Sequence, residues 1–251
     1  MHQLSSKFQE YYTKFIHFPE ATGKTCAVVF STHKMLQSKL GQTIDSFEQV
    51  IRFNFAPTIG FEADVGAKTT HRIVQPSLRF REKNEICLTY EQPHPLFVAD
   101  VRLLFYLNDA ALAEKRKYDD FFENYHLISH YLHIISVGFV EKITGKKYEL
   151  FSTGLWGVFY AVALSKKPTL FGFESPEERV KSTEGHYFNT VEVLEKSPHF
   201  LQKTKNLKLI QLSLKGKNKL EEERQIHDFA LEKQILIRMH QLGLIYIHDL
   251  D

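Results

Sequence analysis

GLWGVFYAVALSKKPTLFGF, residues 154–173, places an apolar segment of helical length directly before a short run of β-branched and aromatic residues. The segment 154–165 is apolar on every side, which is typical of a helix buried against a sheet. The run Pro168–Phe173 has the composition of a strand. A helix that leads into a strand is the unit from which parallel sheets are built, so these residues favour an α/β fold.

Strand-like runs recur along the chain, with segments of helical spacing between several of them. The other runs are Cys26–Ser31, Gln49–Phe53, Thr70–Gln75, Val101–Leu107 and Leu132–Ser136. A charged surface helix is predicted over residues 109–125. A further helix is predicted to begin at Asp228, a good N-cap, and to end at Gly243, a residue typical of helix C-termini. The pattern predicts a mostly parallel sheet flanked by helices on both faces.

The composition is that of an ordinary globular protein. The chain has 251 residues, 43% of them hydrophobic and 25% charged, which excludes a disordered chain and a disulfide scaffold. This length allows one large domain, and since no repeat or Gly/Pro-rich linker interrupts it, we predict a single domain over residues 1–251. The formal charge of +2 is too small for a protein whose main partner is nucleic acid.

Cysteine usage and hydropathy predict a cytoplasmic protein. The spacing of Cys26 and Cys87 matches neither a zinc site nor a disulfide framework, which favours a reducing compartment. The N-terminal residues lack the apolar block of a signal peptide. The longest apolar stretch, Leu155–Leu164, is about half the length of a bilayer-spanning helix. We therefore expect no transmembrane segment.

Seven lysines lie between Lys196 and Lys219, with leucines and an isoleucine among them. One interpretation is a solvated strand-and-loop edge, because charged runs usually only interact with water. The other is a surface that meets an anionic membrane or an anionic glycan acceptor. The second interpretation predicts peripheral contact with the inner face of a membrane and suits a lipid-linked acceptor.

Two loops carry side chains suited to ligand binding. Asn54 follows the predicted strand Gln49–Phe53, and ligands of open α/β sheets bind beyond the carboxyl ends of strands. An Asn that caps its own turn is the alternative. Ser152, Thr153 and Gly154 precede the apolar helix, where hydroxyls and free N–H groups offer a seat for phosphate. Capping of the helix explains these residues equally well.

Two histidine segments remain. His186 opens the sequence HYFN, and His227 opens HDFALE, which ends at Glu232. Each histidine is either catalytic or structural. Imidazole titrates near neutral pH, which suits a catalytic group. The chain has thirteen histidines, however, so such spacings also arise by accident. His227 lies just before a predicted helix N-terminus, which favours the neutral ring.

Taken together and in this order, these segments resemble the sialyltransferases of glycosyltransferase family 29. The large sialylmotif of that family opens with CAVV and continues through IDS, VIRxN and APTxGFEADVGxKTTH. The chain carries nearly the same residues at Cys26–Val29, Ile44–Ser46, Val50–Asn54 and Ala56–His71.

The later motifs follow in the family's order. Phe151–Phe173 resembles the small sialylmotif, with its Ser-Thr-Gly opening and Phe-Gly-Phe close. His186–Asn189 is similar to the third motif and His227–Glu232 to the last. His186 with Glu192 competes for the last motif, but the order of the motifs assigns it to His227. The resemblance covers about residues 24–245.

The resemblance implies an inverting, metal-independent transferase that moves sialic acid from CMP-sialic acid to a glycan hydroxyl, on a GT-A-like, Rossmann-like fold. His227 matches the general base, and His186 matches the residue that stabilises the leaving phosphate. Asn54, Ser152, Thr153 and Gly154 match contacts to the donor nucleotide. The implied partners are a CMP-sugar donor and a glycan acceptor, with no metal or other cofactor. Glu232 is interpreted as a structural residue.

Two alternatives stay open. The first is a transferase for another CMP-activated sugar such as Kdo, because the matched residues recognise the nucleotide. The second is a non-catalytic protein that binds a nucleotide or a glycan on the same fold.

The chain departs from the family in two places. After CAVV the family has Gly-Asn-Ser-Gly, whose Asn contacts the nucleotide. Here the residues are Phe30-Ser31-Thr32-His33, so Ser31 or Thr32 replaces that contact or it is missing. The second departure is Ser165, which stands where the small motif has a cysteine that bridges to the large motif. The family disulfide cannot form, which predicts a cytosolic bacterial or viral relative acting in lipooligosaccharide or capsule synthesis.

Overall fold

The computed structural model of the chain describes residues 21–53, 56–74, 130–149, 151–174 and 227–250, together with the strands 16–17, 96–99 and 125–128. Its strands are β1 (Ile16–His17), β2 (Cys26–Val29), β3 (Gln49–Phe53), β4 (His71–Val74), β5 (Leu96–Ala99), β6 (Tyr125–Ile128), β7 (Thr169–Phe171) and β8 (Tyr246–Ile247). They form one eight-stranded sheet in the order β1-β6-β5-β4-β3-β2-β7-β8. Every neighbouring pair is parallel, as the sequence predicts.

The described helices cover this sheet. They are α1 (Gly41–Asp45), α2 (Glu62–Val65), α3 (His130–Thr144), α4 (Thr153–Leu164) and α5 (Phe229–Gln241), with a 3₁₀ turn at His33–Met35. Helix α4 is the apolar segment of the sequence analysis, and its mean hydropathy suits a helix with neighbours on several sides.

The core has two layers because successive strand residues point to opposite faces. Cys26 and Val28 of β2 face the layer that contains α4 and α5, together with Ile51 of β3. Ala27 and Val29 face the layer under α1 and α2. All four β2 residues are buried, as expected for a central parallel strand covered on both sides.

Gly157 allows α4 to lie close to the sheet. A Cβ added there would come within 2.6 Å of the Cζ atom of Phe53 and 3.1 Å of the Cδ1 atom of Ile73. Any larger residue would therefore displace α4 or these two side chains. A glycine inside an otherwise apolar helix is explained here by close packing rather than by a turn.

Most of the predicted elements are confirmed, with small differences at their ends. Strand β3 has the predicted bounds, and β2, β4 and β7 are each a few residues shorter than their runs. Helix α5 begins where predicted, since the Asp228 side chain accepts a hydrogen bond from the N–H of Leu231 at 2.9 Å. It ends at a turn in which Gly243 has a φ of +72°, a conformation that suits glycine.

The prediction of a strand over Leu132–Ser136 is wrong. These residues lie within α3, whose buried positions Leu132, Ser136 and Val140 recur at the spacing of one helix face. Ile134 and Ile135, on the other face, are 54% and 56% exposed. A short apolar run does not distinguish a strand from a helix, and here the run is part of the longer helix α3.

Two other predictions fall largely outside the described residues. They are the strand Val101–Leu107 and the surface helix over 109–125, of which only Tyr125 is described, and it begins β6. The lysine-rich stretch 196–219 lies outside as well. Among the described helices, none is long and apolar enough to cross a membrane.

Candidate active site

The strand order of the sheet reverses at β2. The chain passes from β2 to β3 on one side of β2 and later returns to β7 on its other side. Such a reversal of strand order is where open parallel sheets bind ligands. The residues that follow β2 and β7 therefore border the expected binding crevice.

Phe30 packs against residues from several elements at this edge. It follows β2, and its ring stacks on Phe53 at a centroid distance of 5.4 Å and meets Phe173 at 6.4 Å. A Cβ added to Gly154 would lie 2.9 Å from the Cε1 atom of Phe30. The N-terminus of α4 thus reaches the same edge of the sheet as the ends of β2, β3 and β7.

The loop after β2 is bonded to the loop after β7. The Thr32 hydroxyl donates to the carbonyl oxygen of Gly172 at 2.6 Å, and the Lys34 N–H donates to the Glu174 carboxylate at 2.8 Å. Ser31 and Thr32 are half-buried at this edge. The proton of the Thr32 hydroxyl is already used, so this hydroxyl is left with an acceptor role toward a ligand.

Ser152 caps α4 and is tied to α5. Its Oγ accepts a hydrogen bond from the N–H of Leu155 at 3.2 Å. Its own N–H and hydroxyl donate to the two carboxylate oxygens of Glu232, each at 2.6 Å. The small-motif serine therefore uses its donors within the protein, while Thr153 and Gly154 follow it, half-buried, in the first turn.

Glu232 is a buried carboxylate with a structural role, as interpreted from the sequence. It is 6% exposed. Burial raises its pKa above the usual value, and this shift is opposed by the donors from Ser152 and Tyr148 and by the nearby His227. The carboxylate joins α4 to α5 across the start of both helices.

His227 lies directly before the N-cap Asp228 of α5, as predicted. Its ring is half-buried, and its centroid lies 5.7 Å from that of Phe229. Because Glu232 bonds to Ser152, the start of α5 adjoins the start of α4. The segment that carries His227 is thus bonded to the N-cap of α4 through Glu232.

Other predicted site residues lie outside the described residues. These are His186, with the rest of the third motif, and Asn54, which follows the last residue of β3. In the described ranges, no group of three His, Cys, Asp or Glu side chains is arranged to hold a metal ion.

Much of the large motif serves to shape a loop. The Arg52 guanidinium is fully buried and donates to the carbonyl oxygens of Val65, Gly66 and Lys68. The Asp45 carboxylate accepts hydrogen bonds from the N–H groups of Ala67 and Lys68 at 2.9 and 2.8 Å. The motif's charged residues at these two positions act on the backbone rather than at the crevice.

Comparison with known protein families agrees with the motifs. A family model described as "Glycosyltransferase family 29 (sialyltransferase)" matches residues 1–244. The chain belongs to glycosyltransferase family 29. The resemblance stated above is therefore confirmed.

Similar proteins in this family include animal sialyltransferases. The chain is 58% identical over 55 residues to beta-galactoside alpha-2,6-sialyltransferase 2 of Danio rerio, a match over 22% of this chain and 11% of that protein. It is 55% identical over 53 residues to CMP-N-acetylneuraminate-beta-galactosamide-alpha-2,3-sialyltransferase 1 of Gallus gallus, over 21% of this chain and 16% of that protein. The matches thus span less than a fifth of either relative.

Solved structures of the family share the fold. A mammalian sialyltransferase in complex with Gal-beta-1-3GalNAc-ortho-nitrophenol superposes with a TM-score of 0.57 at 19% identity, covering 96% of this chain and 78% of that one. The α/β, GT-A-like fold expected from the resemblance is confirmed.

Ser165 and Cys26 are neighbours in the core. Cys26 is buried, and burial raises the pKa of its thiol to about 12, while a hydrogen bond with the Ser165 side chain acts in the opposite direction. The Ser165 side chain thus lies beside Cys26.

Two contributors to the site have no signal in the sequence. Phe30 stands where the family has glycine, and Tyr148 belongs to none of the quoted motifs. Their roles depend on contacts with residues far along the chain, which a local pattern does not record.

Proposed function

We propose that this chain transfers sialic acid from CMP-sialic acid to a glycan hydroxyl, with inversion and without a metal. Its membership of glycosyltransferase family 29 supports the reaction class. The observation that carries the proposal is the pair of hydrogen bonds between Ser152 and Glu232, since they join the small and last motifs beside His227.

In this proposal His227 is the general base. The acceptor hydroxyl must lose a proton as it attacks the sugar, and an imidazole accepts a proton at neutral pH. His227 lies directly before the N-cap of α5. The imidazole of His227 lies near the Glu232 side chain.

The departing CMP phosphate is stabilised by donors of this chain. Thr153 and Gly154 lie in the first turn of α4, where backbone N–H groups have no acceptor within the helix. Ser152 contributes by fixing that helix end. We propose that His186 donates to the phosphate and that Asn54, Ser31 and Thr32 contact the nucleotide.

The acceptor is proposed to be a galactoside. Two of the named relatives act on beta-galactosides or beta-galactosamides, and a solved relative contains Gal-beta-1-3GalNAc-ortho-nitrophenol. We further propose a cytoplasmic location, on the cysteine usage argued above, with lysines 196–219 contacting an anionic membrane or acceptor.

The experiment is incubation with CMP-Neu5Ac and, separately, CMP-Kdo against a panel of glycans that includes galactosides, read by mass. Sialylated product from CMP-Neu5Ac alone is expected. Product only from CMP-Kdo would indicate a transferase for another CMP-activated sugar. Binding of CMP without product from any acceptor would indicate a non-catalytic relative.

The assignment of the base is tested with His227→Ala and His227→Asn. Both are expected to lower kcat by about 100-fold to 10,000-fold, while CMP affinity measured by calorimetry stays within about twofold. Unchanged kcat in either variant would overturn the assignment. Full activity is expected in excess EDTA, and a strict requirement for Mg²⁺ or Mn²⁺ would contradict the metal-free mechanism.

A further inference from the structure

Tyr148 belongs to none of the quoted motifs, and it lies where the starts of α4 and α5 adjoin. It lies between α3 and α4, half-buried, with its ring packed on Phe151 at a centroid distance of 5.5 Å. Its hydroxyl donates to Oε1 of Glu232 at 3.0 Å and accepts from the N–H of Asp228 at 3.1 Å. One phenol therefore uses both of its hydrogen-bonding roles on the last motif.

The bond from Asp228 is the one that bears on His227. The N–H of Asp228 belongs to the peptide unit that joins it to His227, so the Tyr148 hydroxyl holds the plane of that peptide. The Asp228 side chain is used separately, since it caps the N–H of Leu231. Tyr148 thus restrains the backbone from which the imidazole projects, and Asp228 restrains the helix that follows.

Tyr148 is unsuited to proton transfer. Burial raises the pKa of its phenol far above the usual value, and the adjacent Glu232 carboxylate raises it further. The phenol keeps its proton at every working pH and directs it to Glu232. Its contribution is therefore a fixed geometry.

We propose that Tyr148 is a positioning residue whose hydroxyl orients the His227–Asp228 peptide, and with it the imidazole of His227, toward the acceptor hydroxyl. This inference rests on the proposed role of His227 as the base. A misplacement of about 1 Å in reacting groups lowers rates by about 100-fold, so a side chain that fixes the base affects kcat without touching substrate.

The test is Tyr148→Phe, which removes the hydroxyl and keeps the ring on Phe151. The expected result is a fall in kcat of about 10-fold to 100-fold, with the KM for CMP-sialic acid and the calorimetric affinity for CMP within about twofold of wild type. Tyr246→Phe, in the edge strand β8, is the matched control and is expected to leave kcat, KM and the CMP affinity unchanged.

Two outcomes overturn the proposal. One is an unchanged kcat in Tyr148→Phe. The other is a loss of CMP affinity in proportion to kcat, because the hydroxyl would then act through Ser152 and the end of α4. Thermal melting is measured alongside, and a variant that melts early is replaced by one with 3-fluorotyrosine at position 148, whose weaker acceptor oxygen is expected to lower kcat in the same direction.

A second measurement separates this inference from the proposed function. The ¹⁵N resonances of the His227 ring, assigned with His227→Gln, are expected to shift in Tyr148→Phe and to stay in place in Tyr246→Phe. If the wild type transfers no sugar, the proposed function fails, and the resonances still decide whether Tyr148 positions His227. Resonances that do not move would end the inference by themselves.

Discussion

The Ser165 hydroxyl at the end of α4 lies near the Cys26 thiol on β2, and it lowers the pKa of that thiol against the larger effect of burial. They are 2% and 4% exposed. The family resemblance places a cysteine at the position of Ser165. The two segments pack against each other here with Cys26 as a free thiol.

Ser165→Cys is expected to form a disulfide with Cys26 under oxidising conditions, because the two side chains are already in contact. In the chain-entropy model, closing a loop of more than about 100 residues stabilises a protein by about 4 to 5 kcal/mol. The measurement is thermal unfolding with and without reductant in a Cys87→Ser background, where these are the only cysteines. Ser165→Ala is the control, and two titratable thiols in the oxidised, unfolded variant would contradict the prediction.

Gly157→Ala is expected to destabilise the chain by about 1 to 3 kcal/mol. The added methyl group would overlap the Phe53 ring and press on Ile73, so α4 must move away from the sheet. Chemical denaturation measures the free energy of unfolding. Gly138→Ala, in α3 where a Cβ would meet no neighbouring atom within 4 Å, is the control and is expected to be neutral or stabilising.

Glu232 predicts a specific pH dependence of stability. Its pKa in the folded chain is raised above the usual 4.5, so the folded state binds its proton more tightly than the unfolded chain does. The contribution of Glu232 to stability is full below pH 4.5 and falls as the pH rises through the raised pKa, by about 1.4 kcal/mol for each pH unit that separates the folded and unfolded pKa values. The free energy of unfolding across this range is the measurement.

Glu232→Gln is expected to lose this dependence, so that its stability relative to wild type improves as the pH rises. Glu232→Ala is expected to be destabilised by about 1 to 3 kcal/mol at every pH, because the N–H of Ser152 loses its acceptor. Parallel curves for wild type and Glu232→Gln would show that Glu232 does not titrate in this range.

Arg52→Lys is expected to destabilise the chain by about 2 to 3 kcal/mol, although the charge is kept. The guanidinium donates in several directions at once to the loop carbonyls from Val65 to Lys68, which an ammonium on a flexible stem does not reproduce. Arg238→Lys, at an exposed position of α5, is the control and is expected to change the free energy of unfolding by less than about 0.5 kcal/mol. Equal effects of the two substitutions would contradict the prediction.

Local patterns predicted the elements whose signal is contained in a few neighbouring residues. Strand β3 and helices α4 and α5 follow from runs of apolar residues and from the caps at Ser152 and Asp228. The run at Leu132–Ser136 was misassigned because five residues fit both periods. Only the burial of Leu132, Ser136 and Val140 against other elements distinguishes the helix.

Motif spacing likewise predicted the family and the candidate base, because these are properties of residue order along the chain. The bonds that organise the site are of another kind: Ser152 and Glu232 are 80 positions apart, and Tyr148 and Asp228 also 80. Composition and periodicity carry no information on such pairs, since each residue alone is compatible with many partners. These residues come into contact because the strand order brings the starts of α4 and α5 to one edge of the sheet. There the Glu232 carboxylate, the Ser152 hydroxyl and the Tyr148 phenol are buried or half-buried and are joined by hydrogen bonds.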